Sequence, residues 1–176
     1  MRNHIEPNEY APYYQPYLEL VPDGDLVTIL SDQMDEMTAF LKGITDSQAG
    51  YGRGKWSINE VIGHLIDTER IMAYRLLSIA RGERVNLPGF DEEVYVQQAA
   101  FTKQSVDELL DHFSIVRHST IVLLQSLSAD DWLRRGTAND YDISVRALAG
   151  IIAGHERHHR QIMSERYIQS HAYPNG

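Results

Sequence analysis

Apolar residues follow a helical spacing through most of this chain, and no other feature of the sequence constrains the fold as strongly. Between Leu26 and Leu41 they recur every three or four residues, which places them on one face of a helix. The same spacing returns after Ser57, after Ser105 and after Ser144. No segment alternates apolar and polar residues clearly enough to indicate a strand. The sequence therefore predicts an all-α protein.

Two of the four helices have a recognisable first turn. Ser57-Ile-Asn-Glu60 and Ser105-Val-Asp-Glu108 are capping boxes, in which each serine hydroxyl accepts the amide of the glutamate and each carboxylate returns to the serine amide. We expect the second helix to end near Gly82 and the fourth to run from Ser144 to about Tyr167. Four long helices of similar length predict a four-helix bundle.

The connection between the second and third helices, from Gly82 to Gln104, is long for a compact domain. Loops of this length are often functional. This one is also long enough to carry the chain along the bundle, so the two helices need not be antiparallel neighbours. We assign residues 23–170 to the bundle domain and residues 1–22 to an N-terminal extension.

The charge and the absence of cysteine exclude several classes of function. The formal net charge is −9, and a negative surface repels nucleic acid and anionic membranes, so we expect neither as a partner. Without cysteine the chain has no disulfide, no thiolate metal ligand and no cysteine nucleophile. The first residues lack the apolar core of a signal peptide, and no apolar run is long enough to cross a bilayer. A cytoplasmic protein is therefore expected.

Three of the eight histidines lie in one short stretch of the fourth helix, at positions 155, 158 and 159. His155 and His159 are four residues apart, so they project from one helix face, separated by about 40° around the axis. That face also carries apolar residues of the core type: Leu148, Ile151, Ile152 and Ile162. This pair is therefore expected to point into the bundle, whereas His158 lies to the side.

Buried imidazoles need partners, and two kinds are open to this pair. The rings could bond to backbone or carboxylate groups, or they could share a divalent cation with a third ligand. His64, on a partly apolar face of the second helix, is the best candidate for that ligand. Three histidines without a fourth protein ligand would leave an open coordination position, as in catalytic zinc sites. Imidazole also suits nickel, iron and copper.

The other histidines are expected to be surface or half-buried residues rather than ligands; they are His4, His112, His118 and His171. A glycine precedes each of the two central candidates, in Gly63-His64 and Gly154-His155. Glycine inside a helix costs about 1 kcal/mol relative to alanine. The two glycines therefore predict a close approach of neighbouring helices beside the histidines.

The stretch from His155 to His159 also matches H-E-x-x-H, the zinc-binding pattern of metallopeptidases, in which the glutamate is the general base. The surrounding sequence argues against that function. The extended pattern needs a glycine three residues after the second histidine and another histidine three residues later, and these positions hold Ile162 and Glu165. Glu156 lies about 100° from His155 around the helix and is expected to face solvent.

Two segments together resemble the DinB/YfiT-like superfamily. The first is Lys55-Trp-Ser-Ile-Asn-Glu-Val-Ile-Gly-His-Leu-Ile-Asp-Thr-Glu69, and the second is Gly154-His-Glu-Arg-His-His-Arg-Gln161. The resemblance implies a four-helix bundle with a divalent metal ion, nickel or zinc, bound by His64, His155 and His159. It also implies a homodimer and one of two activities on a small molecule. These are metal-dependent hydrolysis and S-transfer with a low-molecular-weight thiol such as bacillithiol or mycothiol.

A metal-dependent enzyme is thus the leading hypothesis, in which the metal activates either a water or a thiol. Because the chain has no cysteine, that thiol would have to come from a cosubstrate. No general base is obvious among the candidate carboxylates, which are Glu60, Asp67, Asp91 and Glu92. Glu60 is equally well explained by its capping box. The alternative is a metal-binding or stress-response module without turnover, because a fold alone does not determine function.

Overall fold

The computed structural model describes residues 4–44 and 50–169. The four long helices are α2 (Leu26–Leu41), α3 (Ile58–Ala80), α5 (Val106–Gln125) and α7 (Val145–Met163). Three shorter helices are α1 (Gln15–Leu18), α4 (Glu92–Ala99) and α6 (Ala129–Leu133). The four-helix bundle predicted from the apolar spacing is confirmed. Among the described residues, no helix combines the length and the hydropathy that a membrane span requires.

The predicted capping boxes set the starts of two bundle helices. At α3 the Glu60 carboxylate accepts the Ser57 amide at 2.7 Å, and the Ser57 hydroxyl accepts the Glu60 amide at 3.2 Å. The same exchange opens α5, with the Glu108 carboxylate 2.8 Å from the Ser105 amide. α3 ends at Ala80, just before Gly82, whose φ of 89° suits glycine.

Contacts along the helices give the direction of each one. Asn59 at the start of α3 donates to the Gln104 carbonyl just before α5, at 2.7 Å. Arg117 and Glu69 pair midway along the same two helices. α3 and α5 therefore run parallel, and the long connection between them, which contains α4, carries the chain back along the bundle.

The remaining two helices run the other way. Gln33 and Glu36 of α2 contact Ala153 and Arg160 of α7 in the same order, so α2 and α7 are parallel to each other. The end of α2 packs with the start of α3 in one apolar cluster, which makes that pair antiparallel. Taken in chain order, α2 runs up, α3 and α5 run down, and α7 runs up.

A small sheet corrects the expectation that no strand is present. It contains β1 (Asn86–Leu87), β2 (Arg135–Ala138) and β3 (Tyr141–Ser144), with β1 parallel to β2 and β2 antiparallel to β3. In the hairpin register Gly136 faces Ile143. Strands of two to four residues are too short to show an alternating pattern. The available signal was the hairpin turn, where Asn139 and Asp140 both have positive φ, at 52° and 67°.

The segment before α2 packs on α7. A Cβ on Gly150 would lie 2.5 Å from the Ile5 side chain, and one on Gly154 would lie 2.0 Å from the Tyr17 carbonyl oxygen. The Glu9 carboxylate accepts from the Ser144 hydroxyl at 2.6 Å and from Arg146 Nε at 2.7 Å. Burial alone would raise the pKa of Glu9, but these hydrogen bonds lower it to about 2.

Candidate metal centre

Three imidazoles from two helices meet inside the bundle. His64 stands on α3, and His155 and His159 stand one turn apart on α7. One ring nitrogen from each lies within 4.8 Å of the other two. Nε2 of His64 is 3.0 Å from Nε2 of His155, although the two residues are 91 positions apart in the chain. The structure therefore brings together the three histidines selected from the sequence.

Burial keeps these rings in the form that binds metal. His64 is 3% exposed and His155 is 9% exposed. Burial lowers the pKa of His64 to about 4 and that of His159 to about 3, and it holds the pKa of His155 well below its usual value. All three rings are then neutral near pH 7, and a neutral imidazole has one nitrogen lone pair free for a cation.

The spacing of the three nitrogens fits a divalent ion. Imidazole nitrogens bind zinc at about 2.0–2.1 Å, so nitrogens on one tetrahedral ion stand about 3.4 Å apart. The observed separations range from 3.0 Å for the closest pair to a limit of 4.8 Å, and they bracket that value. The described residues offer no fourth histidine or carboxylate to this group. The donor set is thus three neutral nitrogens with room for an exogenous ligand.

Neighbouring side chains hold the rings in place. Thr68, one turn after His64, has its hydroxyl oxygen 3.4 Å from Nδ1 of that ring. The Trp56 ring lies 4.9 Å from the His64 ring, centre to centre. Tyr17 meets the rings of His155 and His158 edge-on at 5.4 and 5.1 Å. These aromatic contacts cover the histidines from two sides.

Most of the other candidates have structural roles or lie at the surface. Glu60 serves its capping box, Asp67 pairs with exposed Arg70 at 3.1 Å, and Asp91 caps α4 through the Val94 amide. The remaining histidines are outside the cluster: His4, His112 and His118 are exposed, and His158 is half-buried. His171 lies outside the described residues. Of the candidate carboxylates, Glu92 remains.

Glu156 corrects an expectation. Instead of facing solvent it is 1% exposed, because α2 covers that side of α7. Its carboxylate accepts from Gln33 Nε2 at 2.5 Å and lies 3.0 Å from Arg160 Nε. Burial raises the pKa of Glu156 to about 7 despite the nearby arginines. The apolar spacing of α7 indicated one buried face, the one that carries the histidines. The helix has a second buried face, which packs against α2 and carries Glu156.

A buried polar cluster continues from Glu156 across the bundle. Arg117 of α5 is 1% exposed and donates through Nε to both carboxylate oxygens of Glu69, at 2.9 and 3.0 Å. It also donates to Gln33 Oε1 at 2.9 Å, and Gln33 donates to Glu156. Side chains from all four bundle helices are thereby joined. The sequence signal was Gln33, a polar residue inside the apolar stripe of α2.

A cavity of about 300 Å³ lies beside His155. Its aromatic wall contains Tyr13, Tyr14, Tyr17, Phe90 and Phe113. Its polar lining includes Thr68, Glu69, Arg75, Glu92, Arg117, Asn139 and Glu156. No motif in the sequence assigns a role to the N-terminal tyrosines. The signal that could have found them is their density, since four of the eight residues from position 10 to position 17 are tyrosine.

The two glycines beside the histidines do mark close approaches, but not between the histidine-bearing helices. A Cβ on Gly63 would lie 2.3 Å from the Phe101 ring, which belongs to the connection between α3 and α5. A Cβ on Gly154 would meet the backbone of Tyr17. Both glycines therefore admit the segments that cover the histidines.

Comparisons with known proteins agree with this architecture. Residues 29–163 match the family model of the DinB superfamily. No curated protein sequence matches the chain. Among solved structures, YfiT from Bacillus subtilis superposes with a TM-score of 0.74, covering 92% of this chain and 90% of that one at 17% identity. YfiT is described as a probable metal-dependent hydrolase with an unusual four-helix bundle topology. At that identity the likeness shows the fold alone.

Proposed function

Since the chain belongs to the DinB superfamily, we propose that it is a metal-dependent enzyme of the hydrolase type that acts on a small molecule. One observation carries the proposal: three neutral imidazole nitrogens, from buried His64 and His155 and half-buried His159, meet where His155 lines a cavity of about 300 Å³. Cavities of that size take small ligands. His64, His155 and His159 would hold the divalent ion, for which nickel and zinc are the expected candidates.

When bound, such an ion supplies Lewis acidity and lowers the pKa of a water or thiol in its open position. The protein's own residues do the rest. Thr68 orients the His64 ring through Nδ1, which leaves Nε2 for the ion. Tyr17 and Trp56 limit the access of water to the histidines. The aromatic wall of the cavity would hold the substrate beside His155.

Glu92 is the carboxylate best placed to accept a proton. It lines the cavity beside His155 and also a second depression that includes His159 and Trp56. Glu92 is exposed as a residue, but the partial desolvation of its carboxyl at the cavity edge raises its pKa, and the neighbouring charges of Glu93 and Asp91 raise it further. A higher pKa makes a carboxylate a stronger base at neutral pH. Glu69, by contrast, is engaged through both oxygens by Arg117.

S-transfer is the second candidate reaction, and the cosubstrate would be a low-molecular-weight thiol. The observation that favours it is the donor set: three nitrogens and an open position leave room for one soft sulfur ligand on zinc or nickel. We also propose that the protein forms a homodimer. Size-exclusion chromatography with light scattering tests that assembly directly.

The decisive experiment measures bound metal and turnover on protein purified without an affinity tag. We expect about one equivalent of nickel or zinc and activity in a screen of amide hydrolysis and thiol conjugation. The control is His158→Ala, which removes a neighbouring imidazole outside the cluster. Less than a tenth of an equivalent of metal in the wild type would refute the proposal. One equivalent without turnover across the screen would favour a non-catalytic metal-binding module.

A further inference from the structure

Arg75 has an unusual environment for a buried cation. It is 3% exposed, stands on α3 and lines the cavity beside the candidate metal centre. One terminal nitrogen donates to the Pro88 carbonyl at 2.6 Å, and the other lies 3.7 Å from the Met72 sulfur, a weak acceptor. Its Nε is buried and finds no hydrogen-bond partner within residues 4–44 and 50–169. The guanidinium therefore retains unused donors inside the protein.

Arg75 also has no carboxylate within 4.0 Å among the described residues. None of the ion pairs found within residues 4–44 and 50–169 includes it. The Tyr14 hydroxyl is within hydrogen-bonding reach of Arg75, and the Phe90 ring centre lies 6.0 Å from the guanidinium carbon. Burial raises the pKa of Tyr14, so the phenol is neutral, and neither ring supplies a negative charge. Arg117, the other buried arginine of this cavity, pairs with Glu69. Buried charges are normally paired, and an unpaired one is costly.

Arg75 faces the same side of α3 as His64. Eleven residues separate them, which amounts to about 20° around the helix and about 16 Å along its axis. The contact with Met72 shows that the side chain turns back toward the histidines. Thr68 and Met72, which lie between His64 and Arg75 along α3, also line the cavity. One molecule in this cavity can therefore extend from His155 to the guanidinium.

We propose that the substrate of the three-histidine site carries a carboxylate and that Arg75 binds it at the end of the cavity remote from His64. This inference rests on the proposed function. The free Nε and a terminal N–H of a guanidinium match the two oxygens of a carboxylate. A single guanidinium balances one negative charge, which favours a carboxylate over a doubly charged phosphate. The Asn139 amide lines the same cavity as an additional polar group.

Arg75 would also determine specificity. A neutral analogue of the substrate would leave the guanidinium buried and unpaired, so the site would reject it more strongly than a loss of apolar contact allows. Glu69 lines the same cavity but does not act as the counter-ion of Arg75, because Arg117 already binds both oxygens of its carboxylate. The substrate carboxylate would be the missing counter-ion of Arg75.

The first test uses chelator-treated full-length protein and needs no metal. The Arg75 Nε–H resonance in a ¹⁵N–¹H spectrum is assigned by its absence in Arg75→Gln, and glutarate is then compared with glutaramide. We expect a saturable shift with glutarate and none with glutaramide. The Arg70 resonance should not respond, because that side chain is exposed and pairs with Asp67. Equal responses to both compounds, or none to glutarate, would overturn the inference.

The second test uses metal-loaded protein and two hydroxamates of equal length, glutaric monohydroxamate and its terminal carboxamide counterpart, compared by calorimetry. The wild type should bind the carboxylate probe about tenfold to a hundredfold more tightly, as expected for a charge-assisted hydrogen bond. Arg75→Gln should lose that preference, Arg75→Lys should keep part of it, and Arg70→Gln should keep it fully.

The two tests separate the inference from the proposed function. If the metal binds and the wild type shows no preference between the hydroxamates, the carboxylate site is refuted and the metal site stands. If no metal binds, the proposed function fails, and the metal-free titration still decides whether Arg75 receives a carboxylate.

Discussion

The contacts of single side chains determine the chemistry available at the candidate metal centre. His64 and His159 are neutral because desolvation lowers the pKa of each ring, and burial also lowers the pKa of His155. Arg117 is buried beside the carboxylate that it needs, whereas Arg75 is buried without one. Residue type alone distinguishes none of these cases. Each side chain therefore has to be tested through the contact that defines it.

His64→Ala should remove the metal without unfolding the protein. The substitution leaves only His155 and His159, and two imidazoles bind a divalent ion weakly. Packing of the apolar clusters rather than the ion should hold the helices, so helix content should persist. Metal analysis and circular dichroism measure the two effects. His158→Ala should keep both properties. Loss of helix in His64→Ala and in chelated wild type alike would instead indicate a structural ion.

The stability of chelated protein should fall as the pH drops below 6.5. A histidine with a lowered folded-state pKa stabilises the protein fully above its unfolded value of about 6.5 and loses that contribution as pH falls toward the folded value. For His64 that window extends from 6.5 to about 4. Over this window His64 should lose up to about 3 kcal/mol of its contribution to the free energy of unfolding.

Urea unfolding across this pH range measures the effect. The double variant His64→Ala, His159→Ala is the control, because it lacks two of the titrating rings while keeping every carboxylate. It should lose less stability than the wild type between pH 7 and pH 4.5. Parallel curves for the two proteins would mean that the rings are not buried in neutral form.

The sequence predicted the three histidines because two of them share an apolar helix face and the third lies on a similar face. It did not predict that Glu156 is buried, since a helical wheel gives directions but not the number of neighbouring helices. It also could not reveal that Arg75 lacks an ion partner. That property depends on residues from other elements, and no local pattern encodes it.

At the scale of elements, α7 packs against three neighbours, and α2 covers its Glu156 side. One face presents the histidines to α3, and the glycines at 150 and 154 admit the N-terminal segment. The starts of α3 and α5 were predicted because a capping box is a local signal. The three strands were missed because two to four residues are too few for an alternating pattern to be recognised. The N-terminal contact was missed because it joins segments distant in sequence.

Gly154→Ala should loosen the N-terminal segment. The added methyl group would lie 2.0 Å from the Tyr17 carbonyl oxygen, so the backbone at Tyr17 has to move. We expect a loss of about 1–3 kcal/mol in the free energy of unfolding, together with weaker binding in the cavity that Tyr17 lines. Gly52→Ala is the matched control, because its methyl group would meet only a lysine side chain at 3.8 Å. Equal stability of the two variants would contradict the observed packing.

The whole molecule is held together by a polar cluster as well as by its two apolar clusters. Residues of α2, α3, α5 and α7 meet through Arg117, and the up, down, down, up order of the helices makes this meeting possible. The bundle itself followed from helix number and spacing in the sequence. The directions of the helices did not follow, because a long connection permits more than one arrangement.

Arg117→Leu should destabilise the fold as a whole. It leaves Glu69 buried without its counter-ion, and breaking a buried pair in this way costs about 3–5 kcal/mol. Adding Glu69→Leu should recover much of the loss, because no unpaired charge remains. Chemical denaturation measures all three proteins. Arg70→Leu, which breaks an exposed pair, should change stability by less than about 1 kcal/mol. A small effect of Arg117→Leu would show that the cluster is not buried in solution.

The histidines and the cover above them come from different parts of the chain. Two core helices supply the imidazoles, whereas the N-terminal tyrosines and the connection after α3 contribute the cover. Substitutions in the cover can therefore change which molecules fit the cavity without changing the three histidines. Such an arrangement lets a family vary its ligands over evolutionary time while the residues of the candidate metal centre stay the same.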